Sequence, residues 1–151
     1  MEKQALAIMK PQIKRIEHYP EMADRLQMHV HETEQQIERL DTILNDMLEK
    51  HSGIKDMMLS MGGSMAALSH AVAGDEILKD AFANYAFEHY EIAAYISLTG
   101  LCDATGAQNA VSLLEQNLNE ERSMASWIEE HIVPTTLRFI DLSAAEETAK
   151  R

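Results

Sequence analysis

The 151-residue chain carries 13 Lys plus Arg against 25 Asp plus Glu, a formal net charge of −12 with histidine neutral. That balance excludes binding to a phosphate backbone, which depends on clustered Lys and Arg, and the single cysteine, Cys102, excludes an internal disulfide or a Cys-based zinc site and suits the reducing cytoplasm. The length fits one domain of about 100–150 residues, residues 1–151, and 46% hydrophobic against 25% charged residues is too apolar for disorder.

Apolar residues recur at spacings of three and four along the chain, with no sustained alternation, so an all-α fold is expected. Helix A is predicted over residues 1–17, with Leu6, Met9, Ile13 and Ile16 on one face and Pro11 as an internal weak point. Tyr19-Pro20 marks a turn into helix B, residues 20–49, whose stripe reads Leu26, Val30, Thr33, Ile37, Leu40, Leu44 and Leu48. At 1.5 Å per residue helix B is roughly 45 Å long, a length suited to a bundle. His51-Ser52-Gly53 closes it, and a short Met-rich helix at 54–71, interrupted by Gly62-Gly63, is expected to carry the chain across. Helix C follows over 76–103 with Asp75 as a cap. Thr105-Gly106 turns into helix D over 107–131, and Pro134 opens a last helix over 135–148. Short A–B and C–D connections predict two antiparallel hairpins joined by the crossover. The longest uncharged apolar run, residues 92–102, is too short to span a bilayer, and the N-terminus has no secretory pattern, so no membrane partner is expected.

Three helices carry a carboxylate on the apolar stripe. In helix D the face runs Ala110, Leu114, Leu118, Glu121, Ala125, Ile128; in helix C it runs Ile77, Ala81, Tyr85, Glu88, Ile92, Tyr95; in helix A, Glu2 leads Leu6 and Met9. An isolated ionised group in such a place is penalised by several kcal/mol unless neutralised or paired. Glu91 lies one turn from Glu88, and His29 and Glu32 are three apart at the edge of the helix B face, so each pair can aim two donors at one point. No Lys or Arg shares the stripe. Five carboxylates and one imidazole suit two divalent ions such as iron or manganese, with zinc as a further candidate. Two such ions would bring the charge from −12 to about −8. The competing expectation is a metal-free structural or interaction bundle whose buried carboxylates are protonated or hydrogen-bonded.

At these residues the chain resembles a known family. His29-Val30-His31-Glu32-Thr33, Phe87-Glu88-His89-Tyr90-Glu91-Ile92-Ala93 and Leu118-Asn119-Glu120-Glu121-Arg122 are similar to segments of the YciE/YciF group of bacterial ferritin-like proteins, nearest to its YciE branch. The resemblance runs from Glu2 to about residue 139. It implies a ferritin-like four-helix bundle followed by the C-terminal helix, a homodimer, a link to stress responses, and a di-metal site of Glu2, His29, Glu32, Glu88, Glu91 and Glu121. No reaction or catalytic residue follows from it, although oxidoreductase or peroxidase-like chemistry is compatible with a di-iron site. Three departures from the family pattern, Glu2 in a fraying first turn with less helix before it than in relatives, Gln35 three residues after Glu32, and Met124-Ala125 one turn beyond Glu121, predict a lopsided site.

Overall fold

A computed structural model describes residues 1–47 and 73–151. Among them are four α-helices and no strand: α1 Glu2–Ile13, α2 Pro20–Met47, α3 Glu76–Ala104 and α4 Gln108–Ala144. The expected crossover helix at 54–71 lies outside the described residues. No described helix is long and apolar enough to cross a membrane.

Two predicted boundaries change. Helix α1 stops at Ile13 rather than residue 17, where the backbone N–H groups of Arg15 and Ile16 both turn back to the Gln12 carbonyl. More consequentially, helix D and the expected separate C-terminal helix are one 37-residue helix, α4, with Pro134 inside it. A proline costs a helix interior about 3 kcal/mol. Here Ile128 and Ile132 before it and Phe139 and Leu142 after it pack on the same apolar cluster, and burying a few such side chains is worth about 1.5–3 kcal/mol each. Tertiary packing therefore outweighs the local break.

The α3–α4 connection follows the expected turn. Gly106 takes φ 76°, and the N–H groups of Gly106 and Ala107 bond the carbonyls of Asp103 and Cys102, a Schellman closure in which glycine meets no Cβ penalty. After α4 the chain doubles back. The Tyr19 hydroxyl donates to the Ala149 carbonyl, and the His18 and Ile77 N–H groups reach the carbonyls of Arg151 and Lys150, so the tail ties the α1–α2 turn to the start of α3.

Helices α1 and α2 pack together, as do α3 and α4, and α2 also packs on α4. Two apolar clusters form. One gathers Met9, Met22, Leu26, Phe87, Met124 and Ile128; the other gathers Ile43, Tyr95, Leu98, Cys102, Leu114 and Leu118. Along α2, α3 and α4 the chain passes from one cluster to the other through a layer that is not apolar.

Candidate metal centre

That layer contains Glu2 from α1, His29 from α2, Glu88 and Glu91 from α3 and Glu121 from α4. His29, Glu91 and Glu121 are 0% exposed, and Glu2 and Glu88 are 3% exposed. Helical spacing delivers them: Glu88 and Glu91 stand one turn apart on α3, so both point to the bundle axis.

The side chains converge on two points. His29, Glu88 and Glu121 each offer a ligand atom, all within 4.8 Å of one another, and Glu2, Glu91 and Glu121 do the same. Glu121 belongs to both groups. Each of these residues also keeps a buried polar atom with no hydrogen-bond partner: Glu2 Oε2, His29 Nε2, Glu88 Oε2, both oxygens of Glu91, and Glu121 Oε2. Buried polar atoms are nearly always hydrogen-bonded in native proteins, and here six without a hydrogen bond sit on converging side chains, with the ion-pair contacts of His29 Nε2 to Glu88 Oε2 at 3.2 Å and to Glu121 Oε2 at 3.6 Å among them. Donor chemistry and orphaned atoms both fit divalent cations.

His29 is held for this role. Its Nδ1 lies 2.8 Å from Glu32 Oε2, and Arg25 Nη1 donates to the same oxygen at 3.0 Å. With its Nδ1 held by Glu32, the ring turns Nε2 inward, 3.2 Å from Glu88 Oε2 and 3.6 Å from Glu121 Oε2. A carboxylate behind a histidine fixes tautomer and ring orientation and raises the basicity of the free nitrogen. Glu32 thus stands behind the cluster, in neither group of converging ligand atoms, while the other five predicted residues are brought together. Arg25, outside the stripe read for helix B, is buried one turn before His29.

A chain of hydrogen bonds surrounds the carboxylates. Tyr95 donates to Glu2 Oε1 and accepts from Asn117 Nδ2 at 2.9 Å. Arg39 Nη1 donates to Asn117 Oδ1 at 2.7 Å and, with Nη2, clasps Glu120. Gln36 Nε2 bridges Glu120 Oε2 and Glu121 Oε1. Gln36, Arg39 and Asn117 were absent from the predicted set. Their signal is spacing: Gln36 lies two turns from His29, and Asn117 one turn before Glu121.

Without a cation the cluster holds protons. Burial pushes the Glu91 carboxyl well above its ordinary range, and the Glu2, Glu121 and Glu88 carboxylates push it further. Burial, then Glu88, raises Glu121 to about 10, and burial raises Glu2. Burial works against a charged His29, but the surrounding Glu88, Glu32 and Glu121 carboxylates prevail and raise it to about 10. Glu32 moves oppositely: burial opposes ionisation, yet hydrogen bonds from His29 and Arg25 hold it at about 2. Such shifts are typical of sites where charge is concentrated for a purpose.

Residues 1–141 match the model of a domain of unknown function, DUF892. The chain belongs to the DUF892 family. Over 101 residues this DUF892 chain is 34% identical to Protein YciF of Escherichia coli (strain K12), an alignment covering 63% of the chain and 60% of that protein. The chain therefore matches less than two thirds of the length of this curated relative. The crystal structure of a protein from Xanthomonas campestris pv. campestris str. ATCC 33913 matches it with a TM-score of 0.69 at 32% identity, over 95% of this chain and 88% of that one. The similarity to YciF agrees with the YciE/YciF group read from the sequence.

Proposed function

We propose that this chain is a ferritin-like, dinuclear metal-binding protein that holds two divalent ions, iron or manganese, between its four helices. The observation that carries the reading is the convergence of five buried residues from four helices on two ligand groups, with six donor atoms that make no hydrogen bond. Glu88, Glu91, Glu121, Glu2 and His29 would be the ligands, and Glu32 would hold His29. The YciE/YciF resemblance extends the reading to oxidant or metal handling under stress, to a cytoplasmic homodimer, and to the YciE branch. Bound iron would supply one-electron chemistry toward oxygen or peroxide, while the protein residues position the ions and exclude bulk water.

The competing reading, a metal-free structural bundle, draws on the protons that Glu91 and Glu121 retain. Protonation alone leaves Glu91 with two unpartnered oxygens in a closed interior, a cost of about 1–3 kcal/mol for each unsatisfied group. Metal content separates the two. Protein stripped with chelator is incubated anaerobically with Fe(II), Mn(II) or Zn(II), desalted and analysed for bound metal. Two equivalents per chain are expected, and less than about 0.2 equivalents of every metal overturns the proposal.

A further inference from the structure

We propose that the cleft between the α1–α2 turn and the C-terminal half of α4 binds a free α-amino acid with an apolar side chain, recognised as a zwitterion. The cleft shares no residue with the carboxylate cluster. Its volume is about 240 Å³, just below the roughly 300–1,000 Å³ of pockets for drug-sized ligands, which limits the occupant to a smaller molecule. The walls are largely apolar, with Tyr19 and Met22 on one side and Trp127 and Pro134 on the other.

These walls are fixed in the free protein. The Tyr19 hydroxyl donates to the Ala149 carbonyl, which holds its ring in place. His131 stacks on Trp127 with ring centroids 3.8 Å apart and planes 15° from parallel, and His131 Nδ1 donates to the Trp127 carbonyl at 2.7 Å. A wall already ordered spares a ligand the entropic cost of ordering it.

Three polar groups line the same cleft without partners. Thr135 is 7% exposed, yet its hydroxyl makes no hydrogen bond among the described residues, whereas that of its neighbour Thr136 bonds back to the Ile132 carbonyl. Glu21 and Arg138 are exposed and carry opposite charges, and among the described residues they pair neither with each other nor with a third group. A simple anion in the cleft would meet Glu21, and a simple cation would meet Arg138. A molecule carrying both charges suits both: its carboxylate goes to Arg138 and the Thr135 hydroxyl, its ammonium to Glu21, and its side chain to Trp127 and Met22. Each charged contact is a charge-assisted hydrogen bond, the stronger kind.

Trp127 is the chain's single tryptophan, so its fluorescence reports on the cleft alone. The full chain is treated with chelator, so that no cation can capture the ligand, and titrated with L-phenylalanine. Parallel titrations use phenylpropanoate, which lacks the ammonium, and phenethylamine, which lacks the carboxylate. Phenylalanine should change the fluorescence saturably with a Kd below about 5 mM, and each of the other two should bind about threefold or more weakly. Arg138→Gln should abolish the preference over phenethylamine while keeping that over phenylpropanoate, and Glu21→Gln should do the reverse. Both side chains are exposed, and circular dichroism checks that the variants keep their helices. A phenylalanine Kd above about 5 mM, equal binding of phenylalanine and either analogue by the wild type, or loss of both preferences in each variant overturns the proposal. The wild-type titrations carry the test by themselves if a variant does not fold.

Discussion

Tyr95 on α3 donates its hydroxyl proton to Glu2 on α1 and accepts the amide of Asn117 on α4, so one buried phenol links three helices at the edge of the carboxylate cluster. The link continues through Arg39 and Gln36 on α2 back to Glu121. Tyr95 is 0% exposed, so bulk water does not reach the bonds it makes. Tyr95→Phe keeps the ring and removes both bonds, leaving Glu2 Oε1 and Asn117 Nδ2 buried without that partner. A loss of about 1–3 kcal/mol is expected, read as a lower urea midpoint with an unchanged slope.

The proton-loaded cluster makes the metal-free protein less stable as pH rises. Glu121, with its folded pKa raised to about 10, keeps a proton that the unfolded chain releases near 4.5. His29, raised to about 10, keeps one that the unfolded chain releases near 6.5. The folded state therefore binds more protons between those limits, and its stability falls with pH. Each extra proton is worth about 1.4 kcal/mol per pH unit, or on the order of 4 °C in melting temperature for a chain of this size. Melting curves in chelator from pH 6 to pH 9 should descend accordingly. Saturating Mn(II) or Zn(II) should flatten the descent, since bound cations replace the protons.

The acid side has the opposite sign. Glu32 is held at about 2 by His29 and Arg25, so its contribution is complete above the unfolded value near 4.5 and is lost as pH falls toward 2. Glu32 is about a quarter exposed, and solvent screens part of the effect. Glu32→Gln should narrow the stability difference between pH 5 and pH 3 relative to wild type, as read by urea midpoints at the two values.

Helical period made much of this legible, and its failures are local. Glu2, Glu88 and Glu121 stood out as charges on otherwise apolar stripes. On α2 the stripe read as Leu26, Val30 and Thr33 is buried, but its continuation through Ile37, Leu40 and Leu44 is half-buried, and the buried face also takes in His29, Gln36 and Ile43. That face is polar because it lines the cluster, so a search for apolar residues slides off it. His29 and Glu91 were read as flanking for the same reason, and both are 0% exposed. Pro134 misled in the other direction: local chemistry announces a break, and only the packing of Phe139 and Leu142 on the cluster below shows why the helix continues.

A second buried ionic site tests the tail. Glu76, 3% exposed, accepts from Arg15 Nε at 2.5 Å and lies 3.7 Å from Arg151 Nε. Removing one member of a buried pair leaves the other charge uncompensated. Arg15→Ala should therefore lose on the order of 3 kcal/mol, with Arg151 moderating the loss. Arg151→Ala should lose less, because its contact is longer and Arg15 remains. Urea midpoints of the two variants and their combination should show coupling beyond the sum of the single losses.

The carboxylates that suit the site to cations should burden the fold without them. Glu88→Leu combined with Glu121→Leu removes two buried ionisable groups from the bundle centre, and replacing buried ionic groups with apolar ones of similar volume is often neutral or stabilising by about 1–4 kcal/mol. The metal-free double variant should melt at or above metal-free wild type. Chelator should then separate the cases. It should lower the melting temperature of metal-loaded wild type, since a ligand bound only to the folded state stabilises it by mass action, and leave the double variant unmoved. A wild-type melting temperature indifferent to both chelator and added metal would show that the five inward-facing residues bind no cation, and that their stability cost serves something other than metal.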